Sequence, residues 1–151
     1  MTVAKFDWDD HNGEHVLDQP EARVLFVFPS EEIVKSAYWD ASRSYGDSIL
    51  KGSSFERNLY FHSGAELYFQ SGHNLQTPGR TFHRIIIEDL HHYVEQERSS
   101  GVVREVLSRL DQSSDIKPKL YLTYTTGPEV FVLTPDENGV IDLEIQELAN
   151  G

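Results

Sequence analysis

The residue types that metal chemistry uses occur close together at His11, Glu14 and His15. Imidazole and carboxylate groups are ligands that zinc prefers. On a helix, the His-x-x-Glu-His spacing would place both rings and the carboxylate on one side, facing the metal. Asn12-Gly13 is a turn dipeptide, however, and no apolar helical period surrounds it. A solvated acidic loop is therefore the favoured interpretation, and a zinc site is kept as an alternative.

A second group of residues would supply a nucleophile and its base. The run GDSIL at 46–50 resembles the nucleophile block of GDSL-type lipases and esterases, and DLHH at 89–92 matches their base block. The resemblance implies a hydrolase in which Ser48 attacks, His92 takes the proton and Asp89 orients the imidazole. That family presents its serine just after the first strand, whereas this run follows a predicted helix. A helix end with a turn explains the run better, and the hydrolase stays an alternative.

Glu88 and His91 have the i, i+3 spacing that carboxylate-bridged di-iron bundles use. Those bundles need two such pairs and two further glutamates from four helices. This chain has one pair, and much of its remainder has the pattern of strands. We therefore expect no cofactor, and we interpret His91 and His92 as a solvated face or as a partly buried, hydrogen-bonded histidine.

Aromatic and basic residues are concentrated between positions 41 and 80. This segment holds four basic and three acidic residues, whereas residues 1–40 hold three basic and nine acidic ones. Tyrosine and arginine are enriched at the hot spots of protein interfaces. Two interpretations stay open: the segment forms a partner-binding surface, or a second layer of the fold covers it. On the first interpretation, the partner-binding residues are Tyr60, His62, Tyr68, Arg57 and Arg43.

The overall charge narrows the classes of partner. A formal net charge of −12 argues against direct binding to nucleic acid or to an anionic membrane, because both require lysine and arginine. The same charge would steer a basic partner protein and speed its encounter. The absence of cysteine excludes disulfides and thiolate metal sites. The sequence shows neither a signal-peptide pattern nor an apolar run of roughly 20 residues, so we expect a cytoplasmic protein.

The chain length of 151 residues predicts a single domain over positions 1–151. Residues 1–21 are acidic and turn-rich, and we expect them to form an N-terminal arm or an edge strand. Residues 147–151 are expected to form a frayed tail. The apolar run 22–28 predicts a buried central strand. Ser30, followed by two glutamates, predicts the start of a helix that Gly46 ends.

Two similar segments, 58–64 and 66–72, predict a β-hairpin. A three-residue loop over 62–64 gives one apolar face and places Gly64 where a positive φ is wanted. In that register Tyr60 and Tyr68 share the other face.

The remaining patterns predict further helices and strands. Thr77-Pro78 is suited to open the longest helix, and a second or kinked helix follows near 103–110. Residues 120–124 and 130–133 predict strands, with a turn at Asn138-Gly139 leading to another. Strands and helices do not alternate regularly. We therefore predict an α+β fold, with a mostly antiparallel sheet of about five to six strands and two or three helices packed on one face.

These observations support three classes of function. The first is a small, acidic, cytosolic protein-binding module of the inhibitor, immunity-protein or antitoxin, chaperone or adaptor type. The second is a small hydrolase or metal-dependent enzyme. The third is an inhibitor that mimics nucleic acid through carboxylates spaced like phosphates. A small-molecule site between sheet and helices stays open as well, as does the oligomeric state.

Overall fold

The computed structural model of this chain describes residues 10–11, 13–72, 80–88, 109, 116, 118–123 and 130–133. Within them, one α-helix, α1, spans Glu31–Tyr45. Two short 3-10 turns span Val16–Asp18 and Gly46–Ser48. The strands are β1 (Asp10–His11), β2 (Glu14–His15), β3 (Arg23–Phe28), β4 (Ile49–Ser53), β5 (Asn58–Phe61), β6 (Glu66–Ser71), β7 (Arg84–Ile87), β8 (Lys119–Thr123) and β9 (Val130–Leu133).

Seven of these strands form one mixed sheet in the order β4-β5-β6-β3-β7-β8-β9. The central strand β3 runs parallel to β6 on one side and to β7 on the other, and β7 is also parallel to β8. The pairs β4–β5, β5–β6 and β8–β9 are antiparallel. The α+β class is as predicted, but the sheet is mixed rather than mostly antiparallel. The reason is that α1 and the β4–β5 ribbon carry the chain back, so that β6 runs in the same direction as β3.

The helix α1 begins and ends where the sequence predicts. The Ser30 side chain accepts a hydrogen bond from the backbone N–H of Ile33 at 3.3 Å. Gly46 ends the helix with a φ of 40°. The buried side of the helix packs against β3 and β6, and its residues are Val34, Ala37, Tyr38 and Ala41. Burial of this apolar stripe, more than helix propensity, stabilises α1 in the folded chain.

Strand β3 forms the centre of the core. Its residues from Val24 to Phe28 are buried, which is expected for a strand with parallel neighbours on both sides. The rings of Phe26, Phe28 and Phe69 stack almost in parallel, with centroids 5.6 to 6.3 Å apart. These rings lie beneath α1, because Tyr38 meets Phe69 edge-on at 6.1 Å.

The hairpin of β5 and β6 has the predicted register. Leu59 pairs with Leu67, and Tyr60 pairs with Glu66. The three-residue loop is closed by the Phe61 N–H, which donates to the Ala65 carbonyl at 2.9 Å. Gly64 has a φ of 99°, as this loop requires. The prediction of a hairpin with one apolar face is confirmed.

The helix predicted from Thr77-Pro78 onward is wrong for residues 84–87, which form strand β7. Its three consecutive isoleucines are fully buried. β-Branched residues favour strands, and a strand covered on both faces has a continuous apolar run that resembles part of a buried helix. Residues 89–108, with Asp89, His91 and His92, lie outside the described residues, as do the Asn138-Gly139 turn and the 147–151 tail.

The two ends of the described chain differ in what they add to the sheet. The strands β8 and β9 pair antiparallel and bring the main sheet to seven strands, more than predicted. Near the N-terminus, β1 and β2 form a separate two-stranded ribbon, and Val16 and Leu17 anchor the following turn in the core.

Among the residues described above, no helix is both long enough and apolar enough to cross a membrane.

Candidate binding site

Strand β4 is the outer strand on one side of the described sheet, where it pairs only with β5. Its register shifts between Ile49 and Lys51, which indicates a β-bulge. Leu50 lies within this irregular part and is 59% exposed. Outer strands offer backbone N–H and C=O groups to other chains, and proteins usually cover them or give them charged residues. An exposed leucine on such a strand therefore marks a surface suited to contact with another chain.

The loop between β4 and β5 presents a second apolar side chain. Phe55 is 95% exposed at the tip of this loop. The loop is ordered by local hydrogen bonds: the Ser53 carbonyl accepts from the Arg57 N–H at 2.8 Å, and the Ser53 hydroxyl accepts from the Glu56 N–H at 3.1 Å. A well-hydrogen-bonded turn thus holds the Phe55 ring out in water.

Arg57, one of the predicted partner-binding residues, supports this loop. It has a φ of 59°, which is uncommon outside glycine. Its guanidinium group donates to the Ser54 carbonyl and lies 5.8 Å from the centre of the Tyr38 ring on α1. The side chain therefore connects the loop to the helix.

Tyr60 and Tyr68 share one face of the hairpin but differ in exposure. Tyr60 is half-buried, and the Lys51 ammonium group lies 5.1 Å from its ring centre. Tyr68 is only 3% exposed. Phe82 meets its ring edge-on at 5.4 Å, and the Arg80 guanidinium group lies 5.3 Å from its centre. Arg80 and Phe82 thus cover Tyr68, whereas Tyr60 lies beside the outer strand.

The burial of Tyr68 has a consequence at alkaline pH. Burial raises the pKa of Tyr68 well above its usual range. The hydrogen bond that the Tyr68 hydroxyl donates to Glu66 at 2.7 Å raises this pKa further. Above about pH 10, tyrosine in the unfolded chain loses its proton while folded Tyr68 keeps it. The unfolded state then binds fewer protons, so the free energy of unfolding falls by up to about 1.4 kcal/mol per pH unit.

The variant Tyr68→Phe should lack this contribution. We expect the difference in free energy of unfolding between wild type and variant to be constant below about pH 9. Between roughly pH 10 and 11, the wild type should lose stability relative to the variant. Urea unfolding followed by circular dichroism measures the difference. An identical pH dependence for the two proteins over the whole range would contradict the raised pKa.

The other two predicted partner-binding residues lie at different places in the fold. Arg43 is exposed near the end of α1 and forms an ion pair with Asp40. His62 is exposed at the turn of the β5–β6 hairpin, and its N–H donates to the Ser48 carbonyl at 3.0 Å. This hydrogen bond brings the hairpin turn against the segment that enters β4.

A cleft of about 300 Å³ lies where these segments meet. Three parts of the chain form it: the turn at 16–18, the end of α1 with the following turn, and the loop of the β5–β6 hairpin. The Ser63 hydroxyl donates to the Leu17 carbonyl at 2.5 Å and joins the first part to the third. The residues that line the cleft are His15, Leu17, Asp18, Tyr45, Asp47, Ser48, Phe61, His62 and Ser63. We call it the corner cleft.

The structure brings part of each enzymatic alternative near this cleft. Ser48 lines it, but Asp89 and His92 lie outside the described residues, and the hydrolase stays a prediction. The zinc alternative needs a helix, whereas His11 and Glu14 are opposed partners in the β1–β2 ribbon.

The side chains after this ribbon are engaged locally. The His15 Nδ1 atom accepts the Leu17 N–H at 3.1 Å, and a Glu14 carboxylate oxygen accepts from the Gln19 amide at 2.8 Å. Within the described part of the chain, no group of three or more His, Cys, Asp or Glu side chains is arranged to hold a metal ion.

Two adjoining features therefore make up the candidate site. One is the outer side of β4, which we call the β4 edge and define by Leu50, Lys51 and Phe55. The other is the corner cleft, which lies at the start of the same strand because Ser48 precedes Ile49. No protein-family model matches this sequence, and no curated protein matches it either.

Proposed function

We propose that this protein is a binding module whose β4 edge pairs with an extended, basic segment of a partner protein. The proposal rests on two water-exposed apolar side chains at this edge: Leu50 on the outer strand is 59% exposed, and Phe55 in the loop that follows it is 95% exposed. In recognition by strand addition, backbone hydrogen bonds supply affinity and alternate side chains supply specificity. Leu50 and Phe55 are suited to be the apolar anchors of such a contact.

The packing behind β4 supports this function, because an ordered surface loses less entropy on binding. Gly52 packs so closely against α1 that a β-carbon there would lie 2.7 Å from the Tyr38 hydroxyl oxygen. On its other side, β4 pairs with β5 from Ile49 to Ser53. The edge is therefore held in place by both the helix and the sheet.

The charge of the chain favours a basic partner over a second copy. Two copies would each bring a formal net charge of −12 to the same interface, and their mutual repulsion would oppose pairing. A basic segment would instead be attracted at long range, and its association would slow as the salt concentration rises. We therefore expect a basic segment with the alternating pattern of a strand.

Selection of random linear peptides displayed on phage tests the proposal without a known partner. Peptides selected on the wild type are then measured on a Leu50→Ser/Phe55→Ser variant. A matched control removes two exposed apolar side chains from α1 instead, in Ile33→Ser/Trp39→Ser, where exposure is 40% and 44%. Each pair is exposed, so each variant should fold with little loss of stability.

We expect the selected peptides to be rich in lysine or arginine and to bind the β4-edge variant about tenfold or more weakly than the wild type, because each lost anchor costs over about 1 kcal/mol. Their affinity for the α1 variant should stay within about twofold of the wild type. Absence of any enriched peptide, or an equal loss on both variants, would refute the proposal. A specific loss on the α1 variant alone would place the binding surface on the helix.

A further inference from the structure

The corner cleft has a negatively charged lining. Asp18 and Asp47 are exposed on two of its three sides. None of its nine lining residues is lysine or arginine. Carboxylates in a lining that contains no lysine or arginine attract a positive charge from a ligand.

The floor of the cleft is aromatic. Tyr45 is half-buried and meets the buried Phe61 ring edge-on, with centroids 5.3 Å apart. Tyr45 also meets His15 edge-on, with ring centroids 6.3 Å apart. Aromatic rings bind organic cations through the negative charge density of their faces, and they also cover the apolar part of an alkyl chain.

The lining is held in place by hydrogen bonds that do not use the Asp18 or Asp47 side chains. Ser63 bonds to the Leu17 carbonyl, His62 to the Ser48 carbonyl, and His15 to the Leu17 N–H. The cleft is thus formed before a ligand arrives. Its volume of about 300 Å³ is at the lower end for small-molecule sites and suits one small group.

From this combination we infer that the corner cleft binds a positively charged ammonium or guanidinium group. Such a group would lie between Asp18 and Asp47, with its alkyl chain against Tyr45 and Phe61. Two sources supply this chemistry: a lysine or arginine side chain of a polypeptide, or a free organic amine. The inference concerns a second site and does not depend on the β4 edge.

NMR titration of the labelled protein tests the inference with defined compounds. N-acetyl-arginine methylamide and N-acetyl-lysine methylamide represent a side chain in a polypeptide, and agmatine represents a free amine. N-acetyl-citrulline methylamide is the uncharged match of the arginine compound. We expect the cations to shift the backbone amide signals of Asp47, Ser48, His62 and Ser63 with a Kd on the order of 1 mM.

Two variants separate a local effect from a change in net charge. Asp18→Asn/Asp47→Asn removes both carboxylates of the cleft and should weaken cation binding about fivefold or more. Glu31→Gln/Glu56→Gln removes two exposed carboxylates elsewhere, and its affinity should stay within about twofold of the wild type. The Leu50→Ser/Phe55→Ser variant should bind these compounds like the wild type. A failure of the proposal for the β4 edge can therefore be distinguished from a failure of this inference.

Tighter binding of N-acetyl-arginine methylamide than of agmatine would indicate a side chain of a polypeptide as the ligand. Tighter binding of agmatine would indicate a free organic amine. Three results would overturn the inference. They are equal binding of the citrulline compound, equal weakening by the two carboxylate variants, and the absence of saturable shifts at the cleft with every cation.

Discussion

Phe69→Ala is expected to lower the free energy of unfolding by about 3–5 kcal/mol. The Phe69 ring is 1% exposed and stacks against Phe26 and Phe28 on neighbouring β3, at 5.6 and 6.3 Å. Tyr38 of α1 meets the same ring edge-on at 6.1 Å. Removal of the ring leaves a cavity between the central strands and the helix, and close-packed neighbours fill such a cavity only partly.

The loss would be a large part of the total stability, since domains are usually stable by about 5–15 kcal/mol. Urea unfolding followed by circular dichroism measures it. The matched control is Phe55→Ala, which removes the same ring from a site that is 95% exposed, and it should change stability by less than about 0.5 kcal/mol. Comparable losses in the two variants would contradict the placement of these two rings.

Gly64→Ala is expected to lower the free energy of unfolding by about 2–4 kcal/mol. Gly64 has a φ of 99°, and a β-carbon there would overlap the carbonyl oxygen of Pro20. The substitution therefore adds backbone strain and a clash between the hairpin loop and the N-terminal segment. Because this loop also presents His62 and Ser63, the corner cleft should be disturbed as well, and cation binding should weaken.

Gly13→Ala is the control for backbone strain alone. Gly13 has a φ of 81°, but no atom lies within 4 Å of the position that its β-carbon would take. Its substitution should cost about 1 kcal/mol, as expected for a positive φ without a clash. Thermal unfolding of both variants gives the comparison. Equal costs would show that the contact between Gly64 and Pro20 adds nothing.

The elements that the sequence predicts well are those with strong local signals. Ser30 and Gly46 are a helix N-cap and a helix terminator, and the structure uses both in these roles. The β5–β6 hairpin was predictable because only one register gives it an apolar face, and Gly64 suits the loop of that register.

The pairing of strands that are distant in the sequence was harder to predict from the sequence. The parallel pairing of β3 with β6 and β7 depends on how the chain crosses the sheet, which local patterns do not encode. The isoleucines of β7 have no alternation because both faces of the strand are covered, so their spacing also fits a helix. Strand β4 was not predicted at all, since Lys51 and Gly52 interrupt its apolar character.

The candidate site could also be predicted only in part from the sequence. Tyr60 and Tyr68 are candidates by residue type, but they differ in burial, because Arg80 and Phe82 cover Tyr68. Phe55 belonged to the same aromatic segment, and only the structure shows that its side chain is exposed. The corner cleft joins residues up to 48 positions apart, from His15 to Ser63, and no local motif indicates such a meeting.

Amide hydrogen exchange with and without a selected peptide tests whether the β4 edge is the surface that binds the partner. If the peptide adds a strand to the β4 edge, outward-facing amides within Ile49–Ser53 gain hydrogen-bond partners, and their exchange should slow by about tenfold or more. The amides of β9, at the opposite side of the described sheet, provide the internal control and should keep their rates. Unchanged exchange in β4 while the bound peptide protects another segment would contradict the account.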